Sequence, residues 1–399
     1  MGAPDAVSAE FLYHFLVSQE KFFGEAGKGG AQPNISQGIV KSWPFLLPPS
    51  AEQTRILEKL EELLTGLDAG VAELKAAQKK LAQYRQSLLK AAVEGALTAE
   101  WRTVNKPAET GAQLLERILQ ERRARWEAKQ LAKFKDQGKA PPKDWQKKYP
   151  EPVQPDTTDL PALPRGWVWA SVEQIGEVTT GFTPSTAIPT NFGGSIPFVK
   201  PTDLSAGYSV LTSREFLTEL GASAGRVLPA GAILVTCIGA TIGKTGLART
   251  ACATNQQINA ISIEDGNVTP EFLYWMIVSG YGQGQIIGNA SATTLPILNK
   301  SKFEKLLFPI PSIEEQQEIV YRMEFEDERI ASQQAAIQLS LKQSTAQRQN
   351  ILKAAFSGQL VPQDPSDEPA SELLARIRAE RAVQQAVKKP RGRKAKEAA

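Results

Sequence analysis

The 399-residue sequence has only one histidine, His14, and two cysteines, Cys237 and Cys252. The single histidine argues against Ser-His, Cys-His and histidine-dependent nuclease chemistry. The two cysteines lack metal-ligand spacing and favour a reducing compartment over a disulfide framework. There is no run of 18 apolar residues, and no charged segment followed by an apolar one at the N-terminus. We therefore expect a soluble protein that is not exported.

Charge is distributed unevenly along the chain. The net charge is +3, yet residues 121–148 carry +6 and residues 388–399 carry +5, which leaves −8 for the remainder. Two basic segments on an otherwise acidic chain suggest local contact with phosphates. A solvated helix face and a disordered tail explain the two segments equally well. We expect residues 388–399 to be disordered, with nonspecific attraction to phosphates at most.

One long stretch of the sequence occurs twice. Residues 52–95 correspond to residues 315–358 at a constant offset of 263, and both copies close on a Leu-Lys-Ala-Ala phrase. No residue has been gained or lost between the copies, although a loop would tolerate insertions. The repeat therefore predicts two equal helices, each about 65 Å long.

Apolar residues in the first copy follow the alternating four-three spacing of a heptad seam, and the seam of the second copy is weaker. Polar residues interrupt the first copy at Gln78 and Arg85, and Arg348 occupies the position of Arg85 in the second copy. The pattern predicts a paired helical spacer between two modules, while two amphipathic helices of one bundle are the alternative. The predicted seam residues are Leu60, Leu64, Leu67, Val71, Leu74, Leu81, Leu88, Met323, Ile330, Ile337, Leu341 and Ile351.

The repeat extends beyond these helices. Residues 10–18 match residues 271–279 at an offset of 261, but residues 164–265 have no counterpart in the first copy. The first globular module is therefore predicted to be a remnant of the second. The predicted segments are the remnant (1–48), a first helix (49–98), a basic helical insertion with a proline-rich linker (99–163), a complete module (164–311), a second helix (312–360), and a short helix with a basic tail (361–399).

The complete module is rich in strand and turn signals. Residues 196–199, 232–236 and 258–263 are predicted strands bounded by Gly, Pro or Asn. A short helix is predicted over residues 270–279, because Pro270 suits the first turn of a helix. The predicted fold class is α+β, with a mixed globular module and two long helices.

No catalytic motif is complete. The segment from Gly239 to Thr245 has three residues between its first glycine and the Gly-Lys pair, where a nucleotide-binding loop has four. No acidic strand end follows that could hold magnesium. A tight glycine turn explains the segment better, and its amides could meet a DNA phosphate. The loop and cofactor motif of a methyltransferase and the carboxylates of a nuclease are also absent from the sequence.

Polar residues beside turns are candidates for DNA contact, because Asn and Gln can read adenine edges while Ser and Thr bind phosphates and bases. Ordinary turn chemistry explains the same residues. Residues 164–311 carry nine basic and nine acidic residues, so DNA binding would require Lys200, Arg214, Lys244, Lys300 and Lys302 on one face. The candidates are Thr183, Ser185, Lys200, Lys244, Thr245, Gln256, Gln257, Asn289 and Thr293.

Several phrases resemble the specificity (S) subunit of type I restriction–modification systems. The resemblance covers essentially the whole chain, including the repeated module-and-helix order. The phrases are Leu163-Pro-Arg-Gly-Trp167, Gly181-Phe-Thr-Pro-Ser185, Ile196-Pro-Phe-Val199 with Asp203-Leu204, residues 238–244, Asn255-Gln-Gln257, and residues 309–316.

The resemblance implies a non-catalytic protein that recognises double-stranded DNA. Two target-recognition domains each read half of a split site, and two antiparallel helices form a coiled-coil spacer that sets the gap. The same helices dock methyltransferase (M) subunits, and a restriction (R) subunit joins the assembly. S-adenosylmethionine, ATP and magnesium are then expected only in partner subunits. The expected location is the prokaryotic cytoplasm, associated with the nucleoid and not with a membrane.

This sequence departs from the family pattern at its first recognition domain, of which only residues 1–48 are expected to remain. An incomplete first half-site reader is therefore expected, through either a shortened subunit or a start upstream of Met1.

Two alternatives from other classes stay open at this point. One is a coiled-coil scaffold for protein partners without DNA contact, and the other is an autonomous endonuclease.

Overall fold

A computed structural model of the protein describes residues 7–26, 35–264, 266–291 and 295–387. No helix in these ranges is both long and apolar enough to cross a membrane. The helices are α1 (Ala9–Ser18), α2 (Glu20–Ala26), α3 (Gln37–Ser42), α4 (Ser50–Val93), α5 (Ala99–Val104), α6 (Gly111–Asp136), α7 (Val172–Ile175), α8 (Glu219–Ser223), α9 (Pro270–Val278), α10 (Gly280–Asn289), α11 (Lys300–Phe303), α12 (Ile313–Phe356) and α13 (Ala370–Val387).

Nine strands complete the secondary structure of the described residues. Short 3₁₀ turns occur at Trp145–Lys148, Pro189–Asn191 and Asp203–Ala206. The strands are β1 (Val168–Ser171), β2 (Glu177–Thr180), β3 (Phe192–Val199), β4 (Glu215–Leu217), β5 (Ile233–Thr236), β6 (Thr245–Leu247), β7 (Ala253–Thr254), β8 (Ile258–Ser262) and β9 (Leu307–Ile310). The predicted mixture of helices and sheets is confirmed.

The two long helices, α4 and α12, are of equal length. Each has 44 residues, and both their first and their last residues differ by 263 in number. Each helix is followed by a glycine with a left-handed backbone, Gly95 at φ 73° and Gly358 at φ 75°. Glycine ends helices in this way because it has no Cβ to clash in that conformation.

The chain divides into two compact units. The first comprises residues 1–80 and 332–399, and the second comprises residues 81–331. In the first unit, Phe11 of α1 packs with Ile56 and Leu60 near the start of α4 and with Leu352 near the end of α12. Arg348 of α12 forms an ion pair with Asp68 of α4. Within this unit the two helices therefore run antiparallel.

The helix pair continues in the second unit with the opposite ends together. Leu89 and Ala92 of α4 share a core with Ile319 and Met323 of α12. Two of the polar residues that interrupt the predicted seam, Arg85 and Arg348, form ion pairs between α4 and α12. Arg85 Nε lies 2.7 Å from Asp327 Oδ1 in the second unit, and Arg348 pairs with Asp68 in the first unit.

All the predicted seam residues are buried or half-buried within their units. Whether they form a coiled-coil spacer stays a prediction. Leu60, Leu64, Met323, Ile330 and Ile337 are buried, and Leu67, Val71, Leu74, Leu81, Leu88, Leu341 and Ile351 are half-buried.

Three small sheets form the second unit. Strands β2, β8, β5 and β6 are antiparallel neighbours in that order, and β3 lies between antiparallel β4 and parallel β7. Strand β1 pairs with β9. All four residues of β5 are buried, because this strand lies inside the sheet with helices and loops on both faces. Helix α9 contributes Phe272 and Trp275 to the core, and Pro270 occupies its first turn as predicted.

Helix α6 belongs to the core of the second unit, although the predicted module begins only at residue 164. Leu114, Leu115 and Ile118 are buried in the same cluster as the strands. The Gly111 N–H donates to the Gly166 carbonyl over 2.7 Å. A Cβ at Gly111 would lie 2.0 Å from the Ile310 carbonyl oxygen, so only glycine permits this approach. The basic residues that follow obscured this apolar face in the sequence.

Some predicted segments cannot be placed. The basic tail at 388–399, residues 1–6 and 27–34 of the predicted remnant, and Thr293 lie outside the described residues.

Candidate functional site

One edge of the four-stranded sheet gathers several of the predicted polar segments. Strands β2 and β5 end at this edge, while β6 and β8 begin there. The register shows this, with Thr180 opposite Asn259, Thr236 opposite Ile258, and Val235 opposite Thr245. The loops at 181–185 and 237–244 and the turn at 255–257 therefore lie together, although they are separated in sequence.

The second sheet adds its loops to the same place. Parallel strands β3 and β7 end side by side, with Val199 opposite Thr254, and the Asn255 N–H donates to the Val199 carbonyl over 3.3 Å. Segment 200–205 follows β3 directly. We call the four segments 181–185, 200–205, 237–244 and 255–257 the loop edge.

Two glutamines and a threonine are brought together at the loop edge. The Thr183 hydroxyl donates to Gln256 Oε1, and Gln256 is exposed. The Gln257 Oε1 accepts from Asn255 Nδ2 at 2.9 Å. The approach depends on Gly181, since a Cβ there would lie 2.1 Å from the Asn255 carbonyl oxygen.

The cations of the loop edge differ in their partners. Lys200 Nζ pairs with Glu215 and lies 5.4 Å from the centroid of the Phe198 ring. Lys244 Nζ donates to Ser205 Oγ at 2.8 Å but meets no carboxylate in the part of the chain that the structure describes. Lys244 therefore keeps an uncompensated positive charge. Arg214 precedes β4, whose first residue pairs with Phe198 at the end of β3, so it lies at the same edge.

The glycine segment from Gly239 to Thr245 is a turn between two strands. Gly239 and Gly243 have φ values of 99° and 86°, and β6 follows directly. The helix that follows the glycines in a nucleotide-binding loop is replaced here by a strand. The turn is held by Gln283 Nε2, which donates to the Gly243 carbonyl over 3.0 Å.

Thr245 is a poor DNA contact despite its place beside Lys244. Only 6% of its surface is exposed, because it lies on β6 with its side chain turned into the unit. Its hydroxyl donates to the Gly243 carbonyl over 2.9 Å. Cys237, at the start of the same loop, is buried as well. Burial raises the pKa of this thiol to about 12, so it is protonated at neutral pH.

Ser185 and Asn289 lie at the periphery of the loop edge. Ser185 is exposed, and its carbonyl accepts from Asn191 Nδ2 at 3.0 Å. Asn289 is the last residue of α10, and its carbonyl accepts from Lys302 Nζ at 3.0 Å. Segment 295–298 connects this region to the loop edge, because the Gly239 N–H donates to the Pro296 carbonyl over 3.0 Å.

Sequence reasoning missed two features of the loop edge. Phe182 is an exposed aromatic ring next to Gly225, where a Cβ would lie 3.1 Å from the Phe182 Cβ. Ser205 orients Lys244 from a loop about 40 residues earlier in sequence. The sequence signal for Phe182 was an aromatic residue directly after Gly181. No local sequence signal pointed to the contact between Ser205 and Lys244.

The described residues contain no group of His, Cys, Asp or Glu placed to hold a metal ion.

The family described as "Type I restriction modification DNA specificity domain" matches residues 4–76 and 164–343, more than half of the sequence. The chain belongs to this family. It is a DNA specificity subunit, which recognises DNA and assembles with the other subunits of a type I restriction–modification system without being the catalytic subunit.

Individual relatives agree with this assignment. The specificity subunit of the EcoDI enzyme from Escherichia coli is 26% identical over 392 residues, which cover 95% of this chain and 78% of the relative. The HindI specificity subunit from Haemophilus influenzae is 26% identical over 377 residues, covering 89% and 78%. A chain from a structural study of complex assembly and conformational transition of the type I R-M system superposes with a TM-score of 0.62 at 20% identity, over 88% of this specificity subunit and 72% of that chain.

Proposed function

We propose that the complete module, residues 164–311, reads one half of a bipartite DNA site through the loop edge. The observation that carries this proposal is the convergence of four polar loops around Lys244, whose charge no carboxylate of the described residues offsets. A phosphate would supply the missing negative charge. Neighbouring amide and hydroxyl groups then face the base edges.

Gln256 has the geometry for base reading. Its Oε1 accepts from Thr183, which fixes the side chain and leaves the Nε2 group free to donate. Glutamine contacts adenine through paired donor and acceptor atoms, and pre-ordering by Thr183 lowers the entropy lost on binding. We assign base contact to Gln256, phosphate contact to Lys244 and Arg214, and support of the turn to Asn255 and Gln257.

The two long helices supply the assembly function in this proposal. They form the antiparallel coiled-coil spacer that sets the gap between half-sites, and their outer faces dock the methyltransferase subunits. Tyr321 and Phe325, one turn apart on α12, are 67% and 56% exposed. Large exposed apolar side chains on neighbouring turns are typical of protein–protein contacts. The restriction subunit joins this assembly, and S-adenosylmethionine, ATP and magnesium belong to the partner subunits.

A salt titration of the complex reconstituted with its methyltransferase subunit tests DNA contact. We expect the logarithm of the DNA-binding constant to fall linearly with the logarithm of the salt concentration, by about 0.9 for each phosphate neutralised. The methyltransferase subunit alone, titrated under the same conditions, supplies the baseline. A complex that binds DNA no better and with no steeper salt dependence than this baseline would indicate a scaffold without DNA contact.

A further inference from the structure

The second half of α6 and the residues after it carry a charge that neither the loop edge nor the helix pair uses. We call residues 121–149 the basic extension, which contains ten Lys or Arg residues. Arg123, Arg125 and Lys147 form ion pairs with acidic residues of the extension itself. The other seven cations meet no carboxylate of the described residues, so the extension keeps an excess of positive charge.

Aromatic packing folds the end of the basic extension back onto α6. The rings of Trp126 and Trp145 stack, with centroids 5.8 Å apart and an interplanar angle of 21°. The Tyr149 ring meets Trp126 edge-on at 5.5 Å, and the Phe134 ring meets Trp145 at 6.0 Å. The extension is therefore a folded element with an aromatic centre and a cationic surface.

A cavity of about 420 Å³ lies between the basic extension and the start of β2, within the size range of small-molecule sites. Arg122 Nη1 donates to the Glu173 and Gly176 carbonyls, directly ahead of β2. The cavity thus lies on the side of the sheet where β2 begins, whereas the loop edge lies where β2 ends. The lining includes Arg122, Arg125, Trp126, Lys129, Tyr149 and Gln174.

Two buried donors at this cavity have no acceptor. Gln174 is 1% exposed, and its Oε1 accepts from the Ser171 N–H over 2.8 Å, but its Nε2 has no hydrogen-bond partner in the part of the chain that the structure describes. The same is true of the buried Tyr149 hydroxyl. Buried polar groups are nearly always paired, because an unpaired donor loses its bonds to water without replacement. The two donors therefore indicate a ligand that presents acceptors to the cavity.

The charged groups around the cavity are arranged unequally. Glu177 and Glu264 also line it, and Glu177 pairs with Arg226, whereas Glu264 forms no ion pair with the described residues. Lys129 and Lys133 are both exposed and lie four residues apart, on the same face of α6. The cavity thus offers two donors and one acidic acceptor, and a row of cations leads away from it.

This combination fits an unpaired nucleotide better than a base pair. An unpaired base exposes both N–H donors and ring or carbonyl acceptors, and its backbone carries phosphates. Proteins that bind single strands combine a positively charged groove with aromatic side chains in the same way. A duplex could place phosphates on the two lysines, but its bases stay paired and stacked and cannot enter a cavity unless they are flipped out.

We propose that the basic extension binds single-stranded DNA, with one base in the cavity at Gln174 and Tyr149. The base accepts hydrogen bonds from Gln174 Nε2 and the Tyr149 hydroxyl, and the adjoining phosphates lie on Lys129 and Lys133. DNA is the nucleic acid because this family acts on DNA. The site goes beyond the proposed reading of duplex DNA, since it lies away from the loop edge and uses none of its residues.

Fluorescence anisotropy of the full chain with a single strand of about 12 thymidines tests the proposal, against an abasic strand of the same length and charge. We expect the abasic strand to bind about tenfold or more weakly, because it has no base for the cavity. Tyr149→Phe keeps the ring and removes only the hydroxyl. It should weaken binding of the thymidine strand about two- to tenfold and leave the abasic strand unaffected.

Lys129→Ala separates the phosphate contact from the base contact. We expect it to weaken binding of the thymidine and abasic strands alike and to reduce the salt slope by about 0.7, the value for one phosphate of a single strand. Lys135→Ala is the matched control, because Lys135 is an exposed lysine on a different face of α6.

Equal affinity for the thymidine and abasic strands would overturn the proposal and leave the basic extension as a nonspecific cationic surface. Unchanged binding of the thymidine strand by Tyr149→Phe would also overturn it, as would an equal loss for a duplex of the same length. The variant removes a buried hydroxyl that has no partner among the described residues, so we expect it to fold. Binding of duplex DNA by the loop edge is measured separately, and its failure would leave these results intact.

Discussion

Replacing Glu315 by leucine is expected to lower the free energy of unfolding by about 3–5 kcal/mol, because three donors converge on this buried carboxylate. The Arg102 guanidinium loses its ion pair, and the Trp167 N–H loses its acceptor inside the core. The same substitution at Glu52 is expected to change the free energy of unfolding by less than about 1 kcal/mol, or to stabilise the protein, since an apolar group replaces a carboxylate that accepts no hydrogen bond from the described residues.

The pair of variants is informative because the two positions occupy equivalent places in the repeat. Urea unfolding of both variants gives the free energies. Amide hydrogen exchange at Val168–Ser171 shows whether β1 opens first when Glu315 is lost. Equal destabilisation by the two substitutions would show that the carboxylate itself, and not its donors, stabilises each unit.

The second large effect concerns DNA. We expect Gln256→Ala to weaken binding of the reconstituted complex to its specific site by about 5- to 150-fold, corresponding to about 1–3 kcal/mol, while nonspecific binding is unchanged. Lys244→Ala should weaken both specific and nonspecific binding and reduce the salt slope by about 0.9, because a phosphate contact carries no sequence information.

Lys305→Ala is the matched control for the lysine. Lys305 is exposed and lies next to Leu306, whose carbonyl accepts from the Val172 N–H. Val172 precedes β2, so Lys305 lies on the side of the sheet where β2 begins, whereas the loop edge lies where β2 ends. Fluorescence anisotropy with specific and unrelated duplexes separates the two kinds of binding. If Lys305→Ala matched Lys244→Ala, the loop edge would not be the DNA-contacting surface.

The sequence predicted the elements that depend on local pattern. The heptad spacing and the constant offset gave the two helices to within a few residues, since a helix of 44 residues repeats its apolar spacing many times. Pro270 predicted the start of α9, because proline suits the first turn of a helix. The predicted strands overlap β3, β5 and β8.

What the sequence could not provide was the placement of side chains by tertiary contacts. Thr245 and Lys244 are neighbours, yet Thr245 is buried on β6, while Lys244 lies just ahead of that strand and reaches Ser205. The pairing of Thr183 with Gln256 joins positions 73 residues apart and depends on the close approach at Gly181. Charge dominates the pattern of helix α6, so the sequence predicts a basic insertion there, whereas three apolar side chains fix the helix in the core of the second unit.

Mapping adenine methylation in cells that express the chain together with its methyltransferase subunit tests the central claim most directly. We predict methylation at a split motif whose two halves are separated by a constant gap, with loss of the motif in the Gln256→Ala variant. Co-purification of the two proteins without any sequence-specific methylation would contradict the assignment of DNA reading to the loop edge.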